Sequence, residues 1–280
     1  LSADIRNYNL SGNDMSFEVF STQNDKPDSG YENSLLGASI GTSFEQYERV
    51  FLSPKLSYKF DDLRVQGNAS DQLKKQAGDF SDLAFSYGIS TDQRDKTYLP
   101  TSGYIFSFNQ ELPIYSDASY IFDSISLSKY KSFGTDLIGA LKFRASHITS
   151  LDDTDVRISK RLRVPSTRLR GFEPGKVGPK DGKDFVGGNY TSTLNFESSL
   201  PNLLPEATKT DISLFLDFGN VWGVDYDSSI DDSNKIRSTT GVAANWLSPL
   251  GPMSFIFSQN ISKASTDVTQ GFTFNLGTTF

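Results

Sequence analysis

"DISLFLDFGNVW", residues 211–222, alternates with a period of two: Ile212, Leu214, Leu216 and Phe218 take one side, Ser213, Phe215, Asp217 and Gly219 the other. Successive side chains of a strand point to opposite faces of a sheet, so this stretch predicts a strand with one apolar and one largely polar face. The same reading extends outward. "TLNFESSL" (193–200) sets Leu194, Phe196 and Leu200 against Asn195, Glu197 and Ser199. "SPKLSYKF" (53–60) sets Leu56, Tyr58 and Phe60 against Lys55, Ser57 and Lys59. "GFTFNLGTTF" (271–280) puts Phe272, Phe274, Leu276 and Phe280 opposite Thr273, Asn275, Gly277 and Thr279. "SDLAFSYGIS" (81–90) and "LIGALKFRAS" (137–146) alternate likewise, and no amphipathic helix interrupts them. The chain reads as all-β.

Thirteen strands are predicted, near 1–10, 15–21, 34–44, 49–60, 80–91, 104–111, 120–131, 137–149, 188–200, 211–222, 237–247, 253–260 and 271–280. A soluble sandwich would show the same alternation, so the connections discriminate. Counted back from the C-terminus, polar or long linkers such as "GVDYDSSIDDSNKI" and the stretch around residue 170 alternate with mostly shorter ones such as "SPLGP" and "SFGTD". That parity is expected of a transmembrane antiparallel β-barrel, with short turns on one rim and long external loops on the other. The 22 Phe and 12 Tyr suit lipid-facing strands and interfacial girdles. An odd strand count leaves the two chain ends on opposite rims, whereas bacterial single-chain barrels have an even count. The expectation is therefore a barrel fragment, residues 1–280, lacking its first strands.

Composition excludes several functions. A net charge of −7 argues against a nucleic-acid groove, which needs a basic face. The chain has no cysteine, which removes disulfides, thiolate metal sites and a catalytic thiol. His147 is the only histidine, so neither a catalytic dyad nor a histidine-rich metal site can be assembled. Asp225, Asp227, Asp231 and Asp232 superficially resemble a calcium loop, but its glycine and its terminal glutamate are missing. "GKVGPKDGK" lacks the strand-to-helix setting of a phosphate loop. No catalytic residue, metal ligand or cofactor is expected.

The longest irregular segment, about 150–187, contains "RLRGFEPGKVGP" (168–179). Together with "FVGGNY" (185–190), "LDFGNVW" (216–222), "WLSPLGPM" (246–253), the terminal "FTFNLGTTF" and the turn "QRDKTYLPTSG" (93–103), this ordered set resembles the barrel portion of the BamA family of outer-membrane assembly proteins. The resemblance runs from about residue 34 to 280. It implies a sixteen-stranded barrel in the bacterial outer membrane, of which this chain would hold about thirteen strands, starting near the fourth. Periplasmic repeat domains would precede the barrel. The resemblance further implies a sixth external loop folded back into the lumen and a weak seam between first and last strands. Expected partners are unfolded outer-membrane β-barrel substrates, assembly lipoproteins and the lipid bilayer, with no nucleic acid. A TamA-like or two-partner secretion transporter is the near alternative, and a passive porin the distant one.

Arg170 is the cation that the loop must account for. Its guanidinium is always charged and inside a lumen needs carboxylates or water. Glu197 and Asp217, on the polar faces of the next two strands, are the expected acceptors, with Leu169, Arg170, Gly171 and Phe172 forming a latch. From the residues alone a second arrangement stands beside this one, a solvated external loop whose cations meet anionic headgroups; the resemblance favours the latch. Phe272, Phe274, Leu276, Gly277 and Phe280 resemble the C-terminal signal of outer-membrane barrels. One departure is notable: Val164 and Pro165 stand where the family commonly has a glycine pair. With Arg157, Lys160, Arg161, Arg163 and Arg168 crowding the approach, a different path to the tip is expected.

Overall fold

A computed structural model describes residues 2–10, 13–97, 99–201, 203–230, 235–248 and 251–277. Its strands are β1 (Ser2–Leu10), β2 (Asn13–Lys26), β3 (Tyr31–Tyr47), β4 (Val50–Val65), β5 (Gly78–Asp92), β6 (Gly103–Ser116), β7 (Tyr120–Ser132) and β8 (Ile138–Ser150), then β9 (Lys180–Asp181) and β10 (Asp184–Phe185), and finally β11 (Tyr190–Leu200), β12 (Thr210–Trp222), β13 (Arg237–Ser248), β14 (Gly251–Ser262) and β15 (Phe272–Leu276). All except β9 and β10 join one antiparallel meander in chain order. These thirteen strands fall where the alternation predicts them. Among the described residues no ladder joins β1 to β15, so the sheet is an incomplete barrel.

Three details depart from the expected layout. β2 starts two residues earlier than expected and runs five residues further, into the Pro27–Ser29 turn, and β4 and β6 likewise run five residues past their expected ends. A single helical turn, Asp71–Lys74, interrupts the β4–β5 connection; the Ser70 hydroxyl caps it by accepting from the Leu73 N–H. One turn carries no periodicity for a sequence reading to detect. β9 and β10 form a two-residue hairpin inside the long loop, too short to show alternation.

The two faces differ as lipid and lumen require. Ser213, Asp217 and Asn195 are buried on the inner face, while Leu214, Phe196, Phe143 and Phe274 lie exposed on the outer one. On the outer face, ladder pairing lines up Tyr87, Gln110, Asp123, His147, Tyr190 and Trp222 across six strands. Tyr87 donates to Gln110 (2.9 Å), which donates to Asp123 (2.7 Å). His147 stacks on Tyr190 and Tyr190 on Trp222, at 4.6 and 5.5 Å between centroids. Aromatic rings with polar partners belong where hydrocarbon meets headgroups, so His147, Tyr190 and Trp222, at the long-loop ends of β8, β11 and β12, mark a girdle and give the lone histidine a structural place.

Candidate functional site

The connection from β8 to β11 packs against the inner face, and its cations explain how. Arg157 donates to both carboxylate oxygens of Asp82 on β5 (3.0 and 2.8 Å), and Lys160 reaches the same carboxylate at 3.0 Å. Lys160 also donates to the Tyr120 hydroxyl (2.9 Å), and burial holds its ammonium below the ordinary lysine range despite Asp82 opposite. Arg161 pairs with Asp225 and donates to the Asn189 side chain. Asp225 is thus spoken for by arginine, and Asp231 and Asp232 of the rejected calcium loop lie outside the described residues. Arg163 sits over the Tyr31 ring (5.6 Å). The Val164–Pro165 departure becomes a turn: the Pro165 carbonyl accepts from the Arg168 and Leu169 N–H groups, while Val164 packs with Leu169, Phe172, Val177 and Val221.

At the tip, Arg170 grips Asp217 with a fork. Its Nε and one terminal nitrogen each donate at 2.7 Å to separate carboxylate oxygens, and its backbone N–H adds a third bond at 3.2 Å. The other terminal nitrogen reaches Glu197 at 3.4 Å, and Glu197 is shared with Lys142 at the same distance. Asp217 is fully buried, so three donors from Arg170 and one from Asn195 (2.8 Å) replace its water. Asn195 also donates to the Arg168 carbonyl (2.7 Å), tying the wall to the loop backbone.

Beneath the guanidinium lies Phe215, its ring centroid 3.7 Å from Cζ. Such a desolvated cation–π contact contributes about 2 kcal/mol. Gly171 has φ +86°, and a Cβ there would stand 2.8 Å from the Thr239 hydroxyl, so the tip is seated against β13. Phe172 and Leu169 are almost wholly buried below it. The structure thus brings Leu169, Arg170, Gly171, Phe172, Glu197 and Asp217 into one place.

A second anchor escapes the sequence reading. Arg237, at the start of β13, makes a forked bond to Asp267 (2.9 and 3.0 Å), and both side chains are buried. Asp267 lies in the β14–β15 connection and also accepts from the Gly178 N–H of the loop (3.2 Å). Backbone bonds complete a clasp: Glu173 to Val268, Val268 to Lys176 and Gln270 to Gly171, with Phe172 bridged to Thr269. The latch loop therefore holds the segment that leads into the last strand. Weak signals for these residues existed: Phe215 is the aromatic on an otherwise polar face, and Arg237 opens a strand with a buried side. Nothing local linked Arg237 to a carboxylate thirty residues away.

β15 carries the remaining expected residues. Phe272, Phe274 and Leu276 point outward, Phe274 packing on Phe255 (5.1 Å) and Phe272 on Phe257 (5.0 Å). Gly277 follows the strand with φ +75°, and Phe280 lies outside the described residues.

The Omp85 superfamily domain model matches residues 5–280. The chain belongs to the Omp85 superfamily. As an Omp85 barrel it is an integral, strand-spanning protein of the bacterial outer membrane. Its likeness includes the outer membrane protein assembly factor BamA of Neorickettsia risticii, 26% identical over 238 residues, covering 83% of this chain and 32% of the relative. The fold of this Omp85 chain matches BamA from Haemophilus ducreyi lacking POTRA domains 1–3, with TM-score 0.86 and 22% identity over 98% of this chain and 60% of that one. It also matches CdiB from Acinetobacter baumannii, with TM-score 0.59 and 13% identity over 94% and 47% respectively. The chain spans about a third of the length of the N. risticii relative.

Proposed function

We propose that this Omp85 barrel inserts and folds other β-barrel proteins into the outer membrane by templating their strands at the edge of β15 and by perturbing the adjacent bilayer. One observation carries the reading: among the described residues the last strand, Phe272–Leu276, pairs with β14 on one side and with no strand on the other. An edge strand offers unpaired N–H and C=O groups, and strand addition draws its affinity from the backbone, without catalytic side chains or a nucleotide. Such an edge next to lipid can accept an incoming strand. The N. risticii relative named as an assembly factor supports the same reading. Unfolded barrel substrates and assembly lipoproteins are the partners it requires.

The residues of the latch have a defined part in this proposal. Arg170, with Leu169, Gly171 and Phe172, holds the loop on Asp217 and Glu197, and the clasp to residues 267–270 sets the position of β15. Phe272, Phe274, Leu276 and Gly277 present the aromatic outer edge to lipid and substrate. The fold likeness to CdiB favours a transporter as the second reading. Reconstitution of the full-length protein in lipid vesicles separates the two: accelerated folding of unrelated barrel substrates is the expected result. Steady conductance or export without any effect on folding would refute the assembly reading.

A further inference from the structure

Below the latch, toward the short-turn rim, a cavity of 370 Å³ is bounded by β8, β11, β13, β14, β15 and the loop. Four cations line it, Lys142, Arg144, Arg168 and Arg170, against the single carboxylate of Glu197. Lys142 and Arg170 both lie against Glu197, and Arg170 is also forked to Asp217. Arg144 and Arg168 have no side-chain acceptor among the described residues. Elsewhere in the loop Arg157, Lys160 and Arg161 each have a carboxylate, while Arg163 has the Arg161 and Phe185 carbonyls and the Tyr31 ring.

Both unpaired arginines are held from behind. Arg144 sits in the β8 ladder between Thr193 and Ser126, and the Arg168 carbonyl is bound by Asn195. Neither can swing its backbone away from the other's charge. Burial and the neighbouring Arg144 together push the Arg168 guanidinium below its ordinary range, as expected of cations brought together without a counterion. Neutral donors complete the wall. The Asn245 carbonyl oxygen already accepts from Ser254 (2.8 Å), which leaves its amide hydrogens for the cavity, and Asn275 of β15 lines the same space.

We infer that Arg144 and Arg168 form a binding site for a phosphate-type oxyanion inside the lumen. Two guanidiniums present planar forks that match a phosphate, and their two uncompensated charges match its dianion. The anion is either free phosphate or the phosphomonoester of a lipid headgroup. Bound there, it bridges the β8 wall to the loop just before Arg170 and supplies the counter-charge that Arg144 and Arg168 lack among the described residues.

Calorimetric titration of the full-length protein in detergent with inorganic phosphate, against chloride at matched ionic strength, tests the site. Saturable binding is expected, weakened at least tenfold by Arg144→Gln or Arg168→Gln. Asn245→Asp, which adds a carboxylate to the cavity and leaves both arginines in place, should weaken it similarly and serves if an arginine variant does not fold. Vesicles of phosphatidylcholine with and without phosphatidic acid separate the sources: protection of the loop from proteolysis by phosphatidic acid alone assigns a lipid, and protection by inorganic phosphate assigns the free anion. Folded wild-type protein that binds neither, or folded variants that bind like wild type, would overturn the inference.

Discussion

The wall that receives the latch and the edge that closes the chain are built on different forces. β11 and β12 pair without interruption from Tyr190–Trp222 to Leu200–Ile212, and their inner face adds the Arg170 fork, Asn195 and Glu197. Among the described residues β14 and β15 pair from Met253–Leu276 to Phe257–Phe272, with aromatic packing outside. The first is held by directional charge in a buried setting, the second by a backbone ladder and ring contacts. Charge fixes one geometry, whereas a ladder can exchange its partner. The proposed assembly function would draw on both, a rigid reference and an exchangeable edge, and the clasp at Asp267 joins them.

The strongest way to break the contrast is Asp217→Lys, which leaves Arg170 buried beside a new cation. Losing one partner of a buried pair costs about 3–5 kcal/mol, so the compact form that resists unfolding on unheated gels should disappear. Arg170→Glu in the same chain should restore part of it; no recovery would argue against direct pairing. Next comes Arg237→Ala, expected to cost about 3 kcal/mol by stranding Asp267, with faster amide exchange concentrated in residues 263–277. Uniform acceleration over the whole sheet would contradict the clasp.

Gly171→Ala tests the seating of the tip and should cost about 1–3 kcal/mol through its positive φ and its approach to Thr239. In wild-type protein, amides of β15 should exchange well before those of β11 and β12, and equal protection would erase the comparison. The smallest effect concerns Asp225. Burial pushes its carboxyl up, but Arg161, Asn189 and the Val156 N–H outweigh this and hold it below the usual range. Its contribution is complete above the unfolded value of about 3.9 and is lost as pH falls through the lower folded one. Proteolysis of the loop should therefore rise on acidification below about pH 4 and not near neutrality, a change that Asp225→Asn should abolish.

Much of the fold was legible because a strand in a barrel wall announces itself at period two. Ile212, Leu214 and Leu216 against Ser213 and Asp217 located both the strand and its inner face. The same alternation put Glu197 and Asp217 on the side where Arg170 now lies. The one-turn helix at Asp71 and the β9–β10 hairpin were not legible, being shorter than any period. Phe215 was placed on the inner face without its role, because a ring under a guanidinium is a pairing across forty-five residues of chain.

By itself the sequence determined the all-β class, the strand boundaries to within a few residues, the lipid and lumen faces, and the absence of thiol chemistry. These are local properties: side-chain period, composition and turn content. The tertiary structure alone decided which carboxylate each loop cation found, the Arg237–Asp267 clasp, and the unmatched charges of Arg144 and Arg168. Those depend on distances between segments far apart in the chain, and electrostatic free energy is set by such distances and by burial, neither of which a period encodes.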